Sequence, residues 1–355
     1  MHPMSATTRT NDALPDLLMK AAYRLLSPIT LVCCLFGTSL HANEQVHHWL
    51  QRMNTAVSEL DYDGHFVYLR GDMLDAMQIR HRVRDGNARE YLISLTGTAR
   101  EVIRDSNSIT IIQSRDGKMH VSQHSTTGKL SPLSSLKPKE LDNSYRLLMG
   151  DDVRVAGRAA KVILLQPKDN LRYACRLVLD KGNALPLGVS LFDEEGKQVS
   201  RIMFTDLQIL YPAEDAVAAD DQSLAENSPE LTRMLEPVAV QAQTAIAEPQ
   251  QSLDLQARSA WRFDNIPAGY RLKNHHLRHK TEARDRMEHF VFSDGLATVS
   301  VYVEPLTTKG LSGAANLGAV NALGAQVSGH QLTIVGEVPG ITLKTLLSGA
   351  SLGSG

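Results

Sequence analysis

The sequence contains few cysteines. Among its 355 residues only Cys33, Cys34 and Cys175 are cysteines, and the first two are adjacent and close to the N-terminus. The cysteine before Cys34 and the stretch 30–32 before Cys33 make a poor site for lipoprotein attachment. If the N-terminal segment is removed on export, a single thiol remains and no internal disulfide can form. Hydrophobic cores must then hold the fold, and the chain length suggests two domains.

The sequence also lacks the short motifs of common enzymes. It contains no G-x-S-x-G, P-loop or Rossmann fingerprint. The stretch Ser134-Ser-Leu-Lys137 fits the S-x-x-K pattern, but its partner motifs are missing, so we interpret it as chance. His275, His276 and His279 have the spacing of metal ligands on a helix, without a cysteine or carboxylate pair to complete the set. We expect no catalytic residues, no metal and no cofactor; a hydrolase that used these histidines would need a metal.

An excess of charge of one sign is missing as well. The formal net charge is −2 at pH 7, so no strong overall field would attract nucleic acid or a membrane surface. Electrostatic recognition must therefore come from local patches, and we expect no nucleic-acid partner.

The apolar run near the N-terminus is too short for a typical membrane-spanning helix. The run Leu25–Leu40 has 16 residues, including a proline and a glycine, whereas a span needs about 20. Basic residues precede it and Leu40-His-Ala42 ends it, which is the pattern of a secretory signal peptide cleaved after Ala42. The alternative is an uncleaved anchor.

The residues after position 42 predict a helix and then an antiparallel meander. Residues 43–60 carry one apolar stripe at helical spacing: Val46, Trp49, Leu50, Met53, Val57 and Leu60. Residues 62–114 alternate between apolar and polar side chains and are interrupted by turn residues at 85–87. We predict that eight of them line an inner face, as core or as a pocket: Phe66, Tyr68, Met77, Ile79, Val83, Tyr91, Ile93 and Leu95. The alternation leaves open which face points inward.

The same meander is rich in arginine. The arginines could form a stripe that contacts phosphates or an acidic partner: Arg80, Arg82, Arg84, Arg89, Arg100 and Arg104. The alternative is a solvated sheet face with scattered ion pairs.

The rest of the chain predicts further strands, an acidic linker and a second domain. Pro138 could open a second helix with Leu141, Tyr145 and Leu148 on one face. A second meander over 153–210 brings the total to about nine strands, which predicts one curved antiparallel sheet with helices on its concave side. Residues 211–258 are acidic and rich in Ala, Gln, Ser and Pro, as in a flexible linker. Residues 259–355 predict a small α+β domain, with a Gly- and Ala-rich stretch at 309–329 that should be mobile in part.

Several of these segments, in this order, resemble the RseB/MucB family. The large domain carries His65-Phe-Val-Tyr-Leu-Arg70, Gln78-Ile-Arg-His-Arg82, Arg100-Glu-Val-Ile-Arg104, Arg154-Val-Ala-Gly-Arg158 and Pro167-Lys-Asp169. The small domain carries Ser293-Asp-Gly-Leu-Ala297, Val299-Ser-Val-Tyr-Val-Glu-Pro305 and Val335-Gly-Glu-Val-Pro339. The resemblance covers nearly all of the chain after residue 42 except the acidic linker.

The resemblance implies a periplasmic negative regulator of the sigma-E (AlgU-type) envelope-stress response. Such a protein binds the periplasmic part of a membrane-spanning anti-sigma factor of the RseA/MucA kind, shields it from regulated proteolysis, and releases it on meeting lipopolysaccharide or stray lipoprotein. The large domain, 43–210, would be an unclosed β-barrel similar to LolA/LolB with helices in its mouth, and the eight inner-face residues would contact acyl chains.

The small domain, 259–355, would hold the anti-sigma factor, and we predict contacts from Tyr270, Tyr302 and Glu304. The alternative function is a lipid or lipoprotein carrier of the LolA type, which needs only the large domain. Whether the protein forms a homodimer stays an open question at this point.

Overall fold

A computed structural model provides the fold. It describes residues 27–106, 108–115, 118–125, 133, 136–211, 259–279, 286–306 and 310–353, with side chains from residue 43 onward except at 115, 118–119, 123–125, 278–279 and 286. The predicted linker lies outside these residues apart from Tyr211, and so do most of the predicted leader and Ser134. The chain divides into two compact units, Met1–Gln45 and Val46–Gly355, and the strands of all three described sheets belong to the second unit.

Eleven strands form one antiparallel sheet, which defines the large domain. The order is β6-β5-β4-β3-β2-β1-β11-β10-β9-β8-β7. The strands are β1 Asp61–Arg70, β2 Met73–Arg84, β3 Asn87–Ser94, β4 Arg100–Arg104, β5 Ser108–Arg115, β6 Lys118–Ser125, β7 Tyr145–Val155, β8 Arg158–Pro167, β9 Ala174–Asp180, β10 Pro186–Phe192 and β11 Gln198–Leu210. Because β1 pairs with β11, the two meanders join at the centre and β6 and β7 are left as edges. The predicted unclosed antiparallel sheet is confirmed.

The first helix contributes a stripe of apolar side chains to the core of this sheet. Helix α1 spans Ser27–Glu59, so it begins before the predicted start at residue 43. Val46, Leu50, Met53 and Val57 are buried against strand residues such as Ile163. These positions are spaced three or four residues apart and therefore share one side of the helix. The predicted helix face is confirmed.

The second predicted helix is much shorter than expected. Helix α2 spans Pro138–Leu141 only, and Tyr145 already belongs to β7. Leu141 and Tyr145 are both buried, whereas Leu148 is exposed, so the three predicted residues do not share a helix face. The apolar spacing fits a helix, but Tyr145 pairs with Pro167 of β8 and the strand continues through Leu148. The residues that would have formed the next turn of the helix therefore belong to the sheet.

The small domain has its own sheet and core. Six strands pair in the antiparallel order β13-β14-β15-β18-β17-β16, and a separate ribbon joins β12 to β19. The elements are β12 Trp261–Phe263, β13 Arg271–His279, β14 Arg286–Ser293, β15 Thr298–Pro305, β16 Gly313–Leu317, β17 Val320–Val327, β18 His330–Gly336, α3 Gly340–Ser348 and β19 Ala350–Leu352. One face of the sheet packs with α3 around Phe292, Val301, Ile334 and Leu346. The predicted α+β class is confirmed. Part of the stretch expected to be mobile forms β16 and β17. Backbone pairing of β16 with β17 and of β17 with β18 stabilises small residues that have little side-chain area to bury.

Candidate functional site

The turn between β2 and β3 decides which side chains of the large sheet share a face. Asp85 and Gly86 both have positive φ, 51° and 73°, as a two-residue hairpin turn of type I′ requires. With this turn Ile79 pairs with Leu92, while Arg80 pairs with Tyr91. Directly opposed residues point to the same side of an antiparallel sheet. We call the side that carries the core residue Ile79 the inner face, and the other side the outer face.

This register divides the eight residues predicted to line one inner face. Five of them do lie on the inner face: Phe66, Tyr68, Met77, Ile79 and Val83. Tyr91, Ile93 and Leu95 lie on the outer face, so their predicted position is wrong. The reason is the register of the hairpin: across this turn, odd-numbered residues of β2 pair with even-numbered residues of β3. A loop one residue longer would have reversed the outcome.

The inner face extends beyond the core under α1. Leu92 packs against the core, and next to it on β4 and β5 come Val102 and Ile111, with Ile109 one pair further along. The last three are half-buried and lie outside that core. An apolar sheet surface that its own domain covers only in part can receive an acyl chain. The alternation in 100–113 showed that one face was apolar, but sequence reasoning did not single these residues out because the face depends on the register.

The predicted arginine stripe does not form. Arg80, Arg82, Arg84 and Arg89 lie on the outer face, while Arg100 and Arg104 lie on the inner face. Arg82 is buried and makes a two-pronged ion pair with Asp63, at 2.7 and 3.0 Å. Arg84 donates to Asp61 at 2.6 Å. The alternative interpretation, a sheet face with local ion pairs, describes Arg82 and Arg84 correctly, and the prediction of one stripe is wrong.

A buried ion pair joins the two domains at what we call the domain junction. Nη1 of Arg172, in the large domain, donates to Oδ2 of Asp294, in the small domain, at 3.1 Å, and both side chains are fully buried. The Tyr145 hydroxyl donates to the same carboxylate oxygen at 2.9 Å. Burial, followed by the charge of Asp294, raises the pKa of Tyr145 well above its usual value, so the hydroxyl keeps the proton that it donates. Arg172 also donates through Nε to Asp169 at 3.0 Å and through Nη2 to the carbonyl of Ala268.

Gly269 and Tyr270 complete this part of the domain junction. Gly269 has φ of +83°, and a Cβ at this position would lie 2.4 Å from Oγ of Ser144, so the approach requires glycine. The Tyr270 hydroxyl donates to the carbonyl of Leu171 at 3.3 Å, and its ring lies 5.1 Å from the Arg172 guanidinium carbon. Tyr270, predicted to contact an anti-sigma factor, is buried inside the protein's own domain contact.

The domain junction has a second part near the turn between β1 and β2. Burial, followed by the charge of Glu337, raises the pKa of Tyr68, so the Glu337 carboxylate of the small domain lies near the Tyr68 side chain. Gly318 lies so close that a Cβ there would be 2.7 Å from the backbone nitrogen of Gly71. Nδ2 of Asn321 donates to the Tyr173 hydroxyl at 2.9 Å. Tyr68 therefore belongs both to the inner face of the large sheet and to the contact with the small domain.

The other two predicted partner contacts lie elsewhere on the small domain. Tyr302 and Glu304 point to the side of the small sheet opposite its core, because the alternating Val301 and Val303 are buried. The Tyr302 ring stacks on His289 with centroids 4.3 Å apart. Both side chains are half-buried, and they are not brought together with Tyr270.

The histidines do not form a metal centre among the residues that the structure describes. They lie on strand β13, so His275 and His276 point to opposite faces and the helical spacing has no meaning there. Nε2 of His275 is 3.0 Å from Oε2 of Glu288, and its ring stacks on Phe290. Within the described ranges, no group of three or more potential ligands could hold a metal ion.

Both domains match the models of one known protein family. The MucB/RseB N-terminal domain matches residues 45–226, and the MucB/RseB C-terminal domain matches residues 255–351. The chain belongs to the MucB/RseB family. The sequence resemblance is thereby confirmed.

Its curated relatives are regulatory proteins rather than enzymes. The sigma factor AlgU regulatory protein MucB of Pseudomonas aeruginosa is 30% identical over 323 residues, which cover 89% of this chain and 94% of that protein. The sigma-E factor regulatory protein RseB of Escherichia coli K12 is 23% identical over 326 residues, covering 90% and 95%. The expectation of a non-enzymatic regulator agrees with these relatives.

Solved structures of the family are similar over nearly the full chain. The complex of Pseudomonas aeruginosa MucA and MucB contains a chain with a TM-score of 0.60 and 29% identity, covering 88% of this chain and 100% of that one. A second structure, MucB in complex with MucA(peri), gives a TM-score of 0.59 at 29% identity. Among the described residues, no helix of this family member is both long and apolar enough to cross a membrane.

Proposed function

We propose that this MucB/RseB family member is a periplasmic regulator that binds the periplasmic part of a MucA-like anti-sigma factor. The observation that carries this proposal is the full-length similarity to MucB chains solved together with MucA. Both domains of those chains have counterparts here, which supports a similar partner surface in this protein. The secretory pattern of the first 42 residues supports a periplasmic location.

The regulator shields its partner from regulated proteolysis and releases it on binding a lipid. The support for lipid binding is the inner face of the large sheet, where Val102, Ile109 and Ile111 extend beyond the core and stay half-buried. An acyl chain from lipopolysaccharide or a stray lipoprotein would remove these apolar side chains from water. Phe66 and Met77 line the same face closer to α1 and would contact the chain as well.

Lipid and partner act on each other through Tyr68. This residue belongs to the inner face and lies near Glu337 of the small domain, whose charge acts on its hydroxyl. A ligand with equal affinity for the bound and released states shifts no equilibrium. A lipid that displaces the Tyr68 ring breaks a contact between the domains, and in this way it favours one arrangement of the domains over the other.

Calorimetric titration tests the proposal. The protein from Asn43 onward is titrated with the periplasmic domain of Pseudomonas aeruginosa MucA, with and without short-chain lipopolysaccharide. We expect tight binding that the lipid weakens, with a coupling of about 1–3 kcal/mol. Lipid binding without MucA binding would instead support a carrier of the LolA type, for which the small domain and its buried contact have no evident use.

A further inference from the structure

In the described ranges the two larger sheets end in four edge strands, and three of these strands carry charge. Strand β7 has Arg146, Asp151, Asp152 and Arg154, and its ladder with β8 is interrupted between Met149 and Asp152. Strand β13 has Arg271 and Lys273, and β6 begins with Lys118. Charged residues and irregular pairing protect sheet edges from pairing with other chains.

Strand β16 has none of this protection. Its sequence is Gly313-Ala-Ala-Asn-Leu317, without charge or proline, and all five residues are exposed. Among the described strands it pairs on one side only, with β17, through a two-residue turn that leaves Leu317 opposite Val320. The pair that closes such a turn, here Leu317 and Val320, is hydrogen-bonded, and hydrogen-bonded and non-bonded pairs then alternate along the two strands. The backbone N–H and C=O groups of Ala314 and Asn316 therefore point away from β17. No strand in the described part of the chain bonds to these groups, so an added strand can do so.

The end of β16 lies against the large domain. It leads into Gly318, which touches the turn between β1 and β2 at Gly71. Leu317 is 45% exposed on one side of this contact, and Met73 and Leu74 are 44% and 61% exposed on the other. A strand laid along β16 would therefore run from the small domain onto exposed apolar residues of the large domain.

We propose that β16 binds an extended segment of the anti-sigma factor as an added antiparallel or parallel strand. The inference rests on the proposed function and adds the mode of recognition. Backbone bonds to Ala314 and Asn316 hold the segment, and alternate side chains meet Leu317 and then Met73 and Leu74. The segment is uncharged and apolar where it lies along β16, because a charged side chain there would lose water without gaining a partner.

Two substitutions at one residue test this mode of binding. Ala314→Pro removes an outward N–H, and proline is tolerated on an edge strand when its N–H position faces solvent. Ala314→Val keeps that N–H and suits a strand. Against the MucA periplasmic domain we expect Ala314→Pro to weaken binding by about tenfold or more, while Ala314→Val stays close to wild type. Thermal unfolding and lipopolysaccharide binding should stay unchanged in both variants. Equal binding by wild type and Ala314→Pro would overturn the proposal.

Hydrogen exchange separates this proposal from the one on which it rests. In the complex, the segment 313–317 should exchange more slowly than in the free protein. If wild type binds MucA and this segment is not protected, the added strand is refuted while the proposed function stands. If wild type does not bind MucA, both are refuted. If hydrogen exchange in 313–317 becomes slower as the concentration of the protein alone increases, β16 mediates self-association. That result would overturn the proposal that the anti-sigma factor binds there.

Discussion

At the scale of single residues, the domain junction depends on charge that water does not reach. The Arg172 guanidinium has three acceptors in the structure: the carboxylates of Asp169 and Asp294 and the carbonyl of Ala268. A buried ion pair contributes little net stability compared with apolar residues of the same shape, but a buried charge left without its partner is strongly destabilising. The pair therefore fixes how the domains meet.

The substitution Asp294→Ala should lower the free energy of unfolding by about 3–5 kcal/mol, because it leaves Arg172 buried without that counter-ion. Urea denaturation followed by circular dichroism measures the change. Asp152→Ala is the control, since Asp152 pairs with Lys161 and Lys181 on the surface, and we expect almost no effect. Similar effects from the two substitutions would contradict a buried, tightly coupled pair.

Glu337 should make the stability of the protein depend on pH. Its surroundings remove water from the carboxylate, which raises its pKa above the usual 4.5 despite the opposing effects of Tyr68 and Arg70. A raised pKa means that the folded state binds more protons, so this group destabilises the fold as pH rises from about 4.5 through the folded pKa. Glu337→Gln removes the titration. The difference in Tm between variant and wild type should therefore grow in favour of the variant between pH 4 and 7, and a constant difference would argue against this role.

At the scale of elements, the large sheet has two apolar surfaces in its outer strands. On β5, Ile111 points to the inner face with Val102, whereas the next residue, Ile112, points to the outer face with Val121. Both isoleucines are half-buried. The two residues have the same type, lie on the same strand and are similarly exposed, but they lie on opposite faces. A substitution at one of them is therefore a suitable control for the same substitution at the other.

The substitution Ile111→Asp should weaken binding of short-chain lipopolysaccharide by about tenfold or more, since it places a charge where an acyl chain would lie. Ile112→Asp should change the affinity little. Displacement of a fluorescent fatty acid measures both variants, with circular dichroism to verify folding. The opposite result would assign the lipid to the outer face, where Tyr91 and Ile93 lie.

At the scale of the whole molecule, the two proposed ligands can influence each other because the domain junction touches both of their surfaces. Tyr68 links the inner face to Glu337. Gly71 and Gly318 bring the turn between β1 and β2 against the end of β16. A change at the inner face therefore has a short structural path to the proposed partner strand.

The substitution Tyr68→Phe should uncouple lipid from partner. In wild type we expect lipopolysaccharide to weaken MucA binding by about fivefold or more. In the variant this ratio should approach one, because the hydroxyl that interacts with Glu337 is already absent. Tyr91→Phe, on the outer face, serves as the control and should keep the wild-type ratio. The measurement is the MucA titration with and without lipid. An unchanged ratio in Tyr68→Phe would exclude this route of coupling.

The sequence by itself determined the features that depend on neighbouring residues. The apolar stripe of α1 at Val46, Leu50 and Met53, the alternation of the strands and the antiparallel class all arise from local periodicity. So does the turn at Asp85 and Gly86, where two positive φ angles are needed. The order of the family's segments identified the family for the same reason, since segments are read along the chain.

The tertiary structure alone decided the features that depend on pairing and docking. The register of β2 and β3 moved Tyr91, Ile93 and Leu95 to the outer face and divided the arginines. Arg172 meets Asp294 across 122 positions of sequence, and Tyr68 meets Glu337 across an even longer separation. Periodicity states that alternate residues share a face, but it does not say which face or which distant residue will oppose it. Those choices are made when strands align and domains meet, because only then do side chains far apart in the chain compete for the same space.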